Sequence, residues 1–240
     1  MAGDVERGTE AYRGPGRPAA GVIVALLLIV ALAFALRLHD LGRQSLWYDE
    51  GVSAYLTTLP LPELTVWTAT DIQPPLYYYL LKAWTGIFGR SEAALRWPSL
   101  IFGVLTVPLA WVAGRRLFSE RAGVLAALLF AVSPLYLWYS QEARNYTMVA
   151  FLGLLASILL FDLVEGRRPR WVWAAYAVTA AAALYTHYFA GFLLLFHAVW
   201  VIVRALAGRR RVLRDAALGG AGVALLFAPW VPSLLRTFLG

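Results

Sequence analysis

Cysteine is absent from the 240 residues, which excludes disulfides, thiol catalysis and thiolate metal sites. Lysine occurs once, at Lys82, and histidine three times, so neither His-rich nor carboxylate-rich spacing points to a metal centre. Only 14 residues are acidic, and charged residues make up 15% of the chain. There is no glycine-rich phosphate loop, internal repeat or low-complexity tract, so neither a nucleotide site nor a solenoid is indicated. Apolar residues are abundant: 60% are hydrophobic and 14% aromatic, with a mean hydropathy of +0.65. That composition describes an all-α polytopic membrane protein, not a soluble domain. The net charge of +7 does not imply nucleic acid, because the arginines sit in short clusters between apolar runs, as topology signals do.

Residues 1–18, rich in Gly, Pro and charge, read as a disordered cytoplasmic tail. The apolar run that follows is too long for a signal peptide and lacks a small-residue cleavage site, so it reads as an anchor. Seven segments are expected to span the membrane: 19–36, 97–113, 122–139, 147–164, 171–185, 189–207 and 216–235. Together they form one module over 19–240, whose first external loop, 37–96, is far longer than any other. Two short helices are expected in that loop, at 51–58 and 76–88. The second decides the topology. Its 13 residues carry Lys82 and would reach about 20 Å, so it is read as lying in the interface. Fourteen of the 21 basic residues then share the side of the N-terminal tail, as the positive-inside rule requires. The same topology places Asp49, Glu50, Asp71, Glu142, Arg144 and His187 together on the non-cytoplasmic face.

Each of these groups has a structural reading beside a chemical one. Asp49 and Glu50 are adjacent acids in a chain that otherwise avoids acid. Asp49 can cap a helix, and a carboxylate at this surface can take a proton from an incoming hydroxyl or amine, or hold a divalent cation. Asp71-Ile72-Gln73-Pro74-Pro75 is either a helix start or part of a site. Tyr77 and the tyrosines after it are interface anchors or the lining of a groove for lipid or sugar. Glu142 and Arg144 form either a surface salt bridge or a phosphate-binding turn that includes Tyr146, since arginine donates to phosphate bidentately. His187 sits in another external turn, and His197 reads as a packed residue in an apolar helix.

Four blocks, WYDEGVSAY (47–55), DIQPPLYYYLLKAW (71–84), FGRSEAALRWPS (88–99) and SPLYLWYSQEARNY (133–146), resemble the GT-C membrane glycosyltransferases. The resemblance is to family 39, which contains protein mannosyltransferases and aminoarabinose transferases. The blocks follow the family's order over roughly residues 20–200. The resemblance implies a GT-C-type module of about seven transmembrane helices with two juxtamembrane helices in the first loop. It also implies transfer of a sugar from a polyprenyl-phosphate donor to a protein, lipid or polysaccharide acceptor at the outer face of a bacterial plasma membrane, with inversion. Asp49 matches the expected base or acceptor-orienting acid, with Glu50 beside it as the second catalytic carboxylate. Asp71 and Gln73 match a second polar position, where many relatives carry His or Lys instead of Gln. Arg144 is the first candidate for the carrier phosphate and His187 the second. Members of the family work with or without a divalent cation, and both alternatives stand. Relatives are about twice this length, so a truncated chain is expected.

A transporter or flippase for lipid-linked sugars would use the same acids to hold cargo, and an inactive scaffold would not use them at all. A transporter gathers its polar residues near the midplane, often in repeated halves. Here they gather at one face, which favours the enzyme.

Overall fold

A computed structural model describes residues 16–239; most of the expected N-terminal tail lies outside that range. The chain is helical throughout, with no strand among the described residues. α1 (Ala20–Leu38) leads into the first loop, where α2 (Tyr48–Leu56), α3 (Leu61–Ala69) and α4 (Leu76–Phe88) follow. Then come α5 (Glu92–Leu117), α6 (Glu120–Val132), α7 (Pro134–Ser140), α8 (Tyr146–Val164), α9 (Val172–Thr186) and α10 (Ala190–Leu206). α11 (Arg211–Phe227), a 3-10 turn and α12 (Val231–Leu239) close the chain. Local chemistry sets several ends. The hydroxyls of Ser91 and Ser119 accept from the backbone N–H of Ala94 and Ala122 and so cap α5 and α6. Gly89, at φ +82°, ends α4 in a conformation that suits glycine.

All seven expected apolar segments are helical, but they differ in whether they have the length to cross a membrane unaided. Among the described residues, four helices have the length and apolarity to cross a membrane: α1, α5, α8 and the run Val212–Thr237. The bent pair α6–α7 makes a fifth. α9 and α10, with 15 and 17 residues, reach only about 22 and 26 Å against a hydrocarbon core of roughly 30 Å. The first loop differs too: α4 has the expected bounds, but three helices are present instead of two. α3 goes unseen in the sequence because Pro60 and Pro62 look like breakers, yet Pro62 lies in the first turn, where its missing N–H has no helical partner to lose.

The segment expected to run straight over 122–139 breaks at Pro134, where α6 and α7 meet at 56°. Proline lacks the N–H that Phe130's carbonyl would accept and pushes Ser133 to extended geometry (φ −60°, ψ 121°). Arg37, fully buried at the end of α1, supplies the donors. Its Nη2 donates to Phe130 O (3.0 Å), its Nη1 to Ala131 O (3.0 Å) and Ala33 O (3.0 Å), and its Nε to Ser140 Oγ (3.1 Å). Backbone groups freed inside a membrane need such substitutes. α5 and α6 cross closely where Gly114 faces Gly123: a Cβ on Gly114 would lie 2.8 Å from the Gly123 Cα.

The loop helices have their own core. Leu56, Leu64, Tyr77, Tyr78 and Leu81 pack against Leu95, Ala143 and Met148, docking α2–α4 on the N-terminal ends of α5 and α8. That docking brings the first loop to the 141–146 turn.

Candidate active site

The two adjacent acids at the start of α2 face opposite ways. Glu50 points inward and is fully buried. Its Oε1 accepts from Arg96 Nε (2.8 Å) and Ala143 N (2.8 Å), and its Oε2 from Arg96 Nη2 (2.7 Å) and Trp47 N (3.4 Å). Arg96 also donates through Nη1 to Leu41 O (2.9 Å) and Gln44 O (3.0 Å), and through Nη2 to Ser45 O (3.3 Å). All five guanidinium donors are therefore used. Ionic groups out of water are tolerated when their hydrogen bonds are complete, and here they are. Glu50 ties together the start of α2, the first turns of α5 and the 141–145 turn.

Asp49 turns outward, with its side chain one-third exposed. Its Oδ2 lies 3.4 Å from Nη2 of the buried Arg144. The Arg144 guanidinium sits 5.6 Å from the centre of the Tyr146 ring, and its Nε has no hydrogen-bond partner among the described residues. Its backbone is fixed from beneath. Ser99 Oγ donates to Arg144 O (2.9 Å) and is bonded to the Tyr77 hydroxyl (2.9 Å).

The neighbouring Asn145 joins two further elements. Its Nδ2 donates to Gln73 Oε1 (2.7 Å) and Thr186 O (2.7 Å), while its buried Oδ1 has no partner among the described residues. His187, just past α9, has its ring 6.3 Å from Tyr146. Burial, followed by the charge of Arg144, lowers its pKa below the usual imidazole value, so the neutral form is favoured. Burial also pushes the Tyr78 phenol up to about 12, which keeps it a hydrogen-bond donor near Arg144. Glu142 accepts from Trp138 Nε1 (2.6 Å), and burial raises its pKa above the ordinary carboxylate value. Asp71 presents its backbone carbonyl to Thr237 Oγ1 (3.4 Å), and its charge reaches Tyr78 and Tyr188.

The structure thus gathers Asp49, Gln73, Glu142, Arg144, Tyr146 and His187 at one end of the bundle, with Asp71 at the margin. Tyr77 is in the packed core and Glu50 behind the surface. Arg96 and Asn145 are additions that sequence reasoning missed. Arg96 carried a signal, being an arginine at the start of a long apolar helix. Asn145 heads the triplet Asn145-Tyr146-Thr147, whose only local signature is that of a glycosylation acceptor.

Two cavities meet at Tyr146. A cleft of about 590 Å³ includes Trp47, Glu50, Arg96, Trp138, Glu142 and Tyr146 in its lining. An apolar groove of about 630 Å³ runs from Tyr146 and His187 past Gly153 to Ser157 along α8. No group of three His, Asp or Glu side chains able to hold a metal ion comes together among the described residues. The charged partner of Asp49 is itself a cation, so this donor set does not fit a divalent ion.

Residues 72–232 match the family described as Dolichyl-phosphate-mannose-protein mannosyltransferase. The chain is also 24% identical over 168 residues to the Bacillus subtilis (strain 168) protein named "Putative mannosyltransferase YkcB". That match covers 65% of this chain and 23% of the relative, so the chain spans about a quarter of the length of the curated relative it matches. The family match extends over about two-thirds of the sequence, from the 71–75 turn of the first loop to the last helix: the chain belongs to the dolichyl-phosphate-mannose-protein mannosyltransferase family.

Proposed function

We propose that the chain transfers a sugar from a polyprenyl-phosphate donor to a hydroxyl- or amine-bearing acceptor at the non-cytoplasmic face of a bacterial plasma membrane, with its N-terminus in the cytoplasm. The observation that carries this reading is the Asp49–Arg144 pair, 3.4 Å apart, beside the meeting point of a polar cleft and an apolar groove. The donor's tail lies in the groove along α8, and its phosphate reaches Arg144, whose Nε has hydrogen-bonding capacity in reserve. A phosphate there competes with Asp49 for the guanidinium and leaves the carboxylate to act as a base. Asp49 takes the acceptor proton, the acceptor oxygen or nitrogen attacks the anomeric carbon, and the phosphate departs with the bonding electron pair. A single displacement of this kind inverts the anomeric centre. Arg144 meets the charge that develops on the leaving phosphate, and the cleft lined by Trp47, Trp138 and Glu142 receives the acceptor, whether protein, lipid or polysaccharide. Glu50 serves as a positioning residue through Arg96 and Ala143. Gln73 and Asn145 hold the first loop to the 141–146 turn.

The deciding experiment follows transfer of radiolabelled sugar from a polyprenyl-phosphate donor in sealed vesicles, comparing wild type with Asp49→Asn. Undiminished transfer by the variant overturns the base assignment. Movement of intact donor across the bilayer without transfer supports a flippase, and neither activity supports a scaffold.

A further inference from the structure

The end of the bundle remote from Asp49 has a cleft of its own. The end of α5, the second half of α8 and the middle of α10 enclose about 200 Å³ between largely apolar walls that include Leu117, Phe161, Phe196 and Trp200, with Ser157 and His197 as polar lining. Its rim is cationic. Arg116 lines it, the Arg204 guanidinium lies 5.8 Å from the centre of the Trp200 ring, and that of Arg167 lies 4.6 Å from Phe161. Two acids hold the arginines. Asp162 pairs with Arg116, Arg168 (3.2 Å) and Arg167 (3.9 Å), and Glu165 pairs with Arg204 (2.7 Å) and Arg209 (2.9 Å). Five guanidinium groups therefore share two carboxylates, a local surplus of three positive charges. The Nε of Arg204 is buried without a hydrogen-bond partner among the described residues.

Topology alone accounts for arginines at these helix ends. It does not account for three of them gathered round one apolar cleft, two stacked on its aromatic lining. A neutral hydrocarbon in the cleft would gain nothing from them, whereas an anion with an attached chain satisfies both parts. We propose that this cleft binds one anionic phospholipid of the adjoining leaflet, with its phosphate on Arg116, Arg167 and Arg204 and an acyl chain against Phe161, Phe196 and Trp200. The planar guanidinium suits phosphate oxygens, and basic pockets between spanning helices select anionic headgroups. Asp162 and Glu165 orient the arginines without neutralising them. Its arginines play no part in the reading of Asp49, although Leu154 and Ser157 line both this cleft and the groove along α8.

The test uses the whole purified chain in detergent, with retained lipid counted by native mass spectrometry and melting followed by circular dichroism. Dioleoylphosphatidylglycerol, dioleoylphosphatidylcholine and glycerol 3-phosphate are titrated separately. Three arginines at about 1 kcal/mol each correspond to a roughly hundredfold preference for phosphatidylglycerol over phosphatidylcholine. Arg204→Gln should cut that preference about fivefold, while Arg121→Gln, at a cation outside the cleft, should leave it unchanged. Phe196→Trp, which fills the cleft and keeps every arginine, should also reduce retention and guards against misfolding of the arginine variant. Equal retention of the two lipids overturns the proposal. So does equal stabilisation by glycerol 3-phosphate, which would mark a site for free anions. Equal losses in Arg121→Gln and Arg204→Gln, or undiminished retention in Phe196→Trp, would do the same.

Discussion

Asp49 and Glu50 are neighbours in the chain and opposites in the structure. Glu50 has no exposure, four hydrogen-bond donors and an arginine whose every N–H is used. Asp49 is one-third exposed, and its arginine, 3.4 Å away, has a donor unpartnered among the described residues. A satisfied ion pair holds a fold and resists change, while a partly exposed one with a donor to spare can exchange partners. The acid with the fewer contacts is therefore the one suited to chemistry.

Four substitutions test that contrast, and the largest effect is expected at Asp49. Asp49→Asn should lower transfer by about 10²–10⁴-fold, the usual contribution of a positioned base, and should leave the melting temperature close to wild type. A large drop in melting temperature instead would make Asp49 structural and collapse the distinction. Arg96→Met should show the reverse pattern. Removing one partner strands a buried charge on Glu50 at a cost of about 3–5 kcal/mol, measurable as a lowered denaturation midpoint. A stable variant would show that Glu50 is not committed to the fold.

Away from the pair, Arg37→Met should destabilise by about 1–3 kcal/mol, because the carbonyls of Phe130 and Ala131 lose their donors. The same denaturation measurement reports it. The smallest effect is expected from Glu142→Gln and appears as a pH dependence. Glu142's folded pKa is raised, so the folded state holds a proton that the unfolded state releases above its ordinary value of 4.5. Wild type should lose stability as pH rises from 4.5 through the folded pKa, and the variant should lack that loss. Identical pH–stability curves would place Glu142 in a more solvated setting than its burial indicates.

Legibility from sequence followed the range of the interactions. The bounds of α4 and the seven apolar segments were readable because they depend on composition over a dozen or more contiguous residues. The convergence of Asp49, Glu142, Arg144 and His187 at one end of the bundle was readable from charge bias. The break at Pro134 was harder, since proline is common in membrane helices and only the position of Arg37 shows what completes the break. The partner of Glu50 could not be read at all: Arg96 is 46 residues away, on a helix whose apolar pattern gives no register for it. Nor could Asn145 be assigned, because its bonds to Gln73 and Thr186 span 72 and 41 residues.

The contact between Arg37 and the broken helix also orders events in time. Synthesis delivers α1 first, with a guanidinium near its end and none of the distant carbonyls that will receive it. Phe130 and Ala131 are made 93 and 94 residues later. Until then the arginine stays with water or lipid headgroups at the bilayer edge, so α1 reaches its final depth only after the sixth helix has entered. α1 is thus locked by carbonyls 93 and 94 residues further along the chain, and a nascent chain that has not reached them holds this helix in a provisional position.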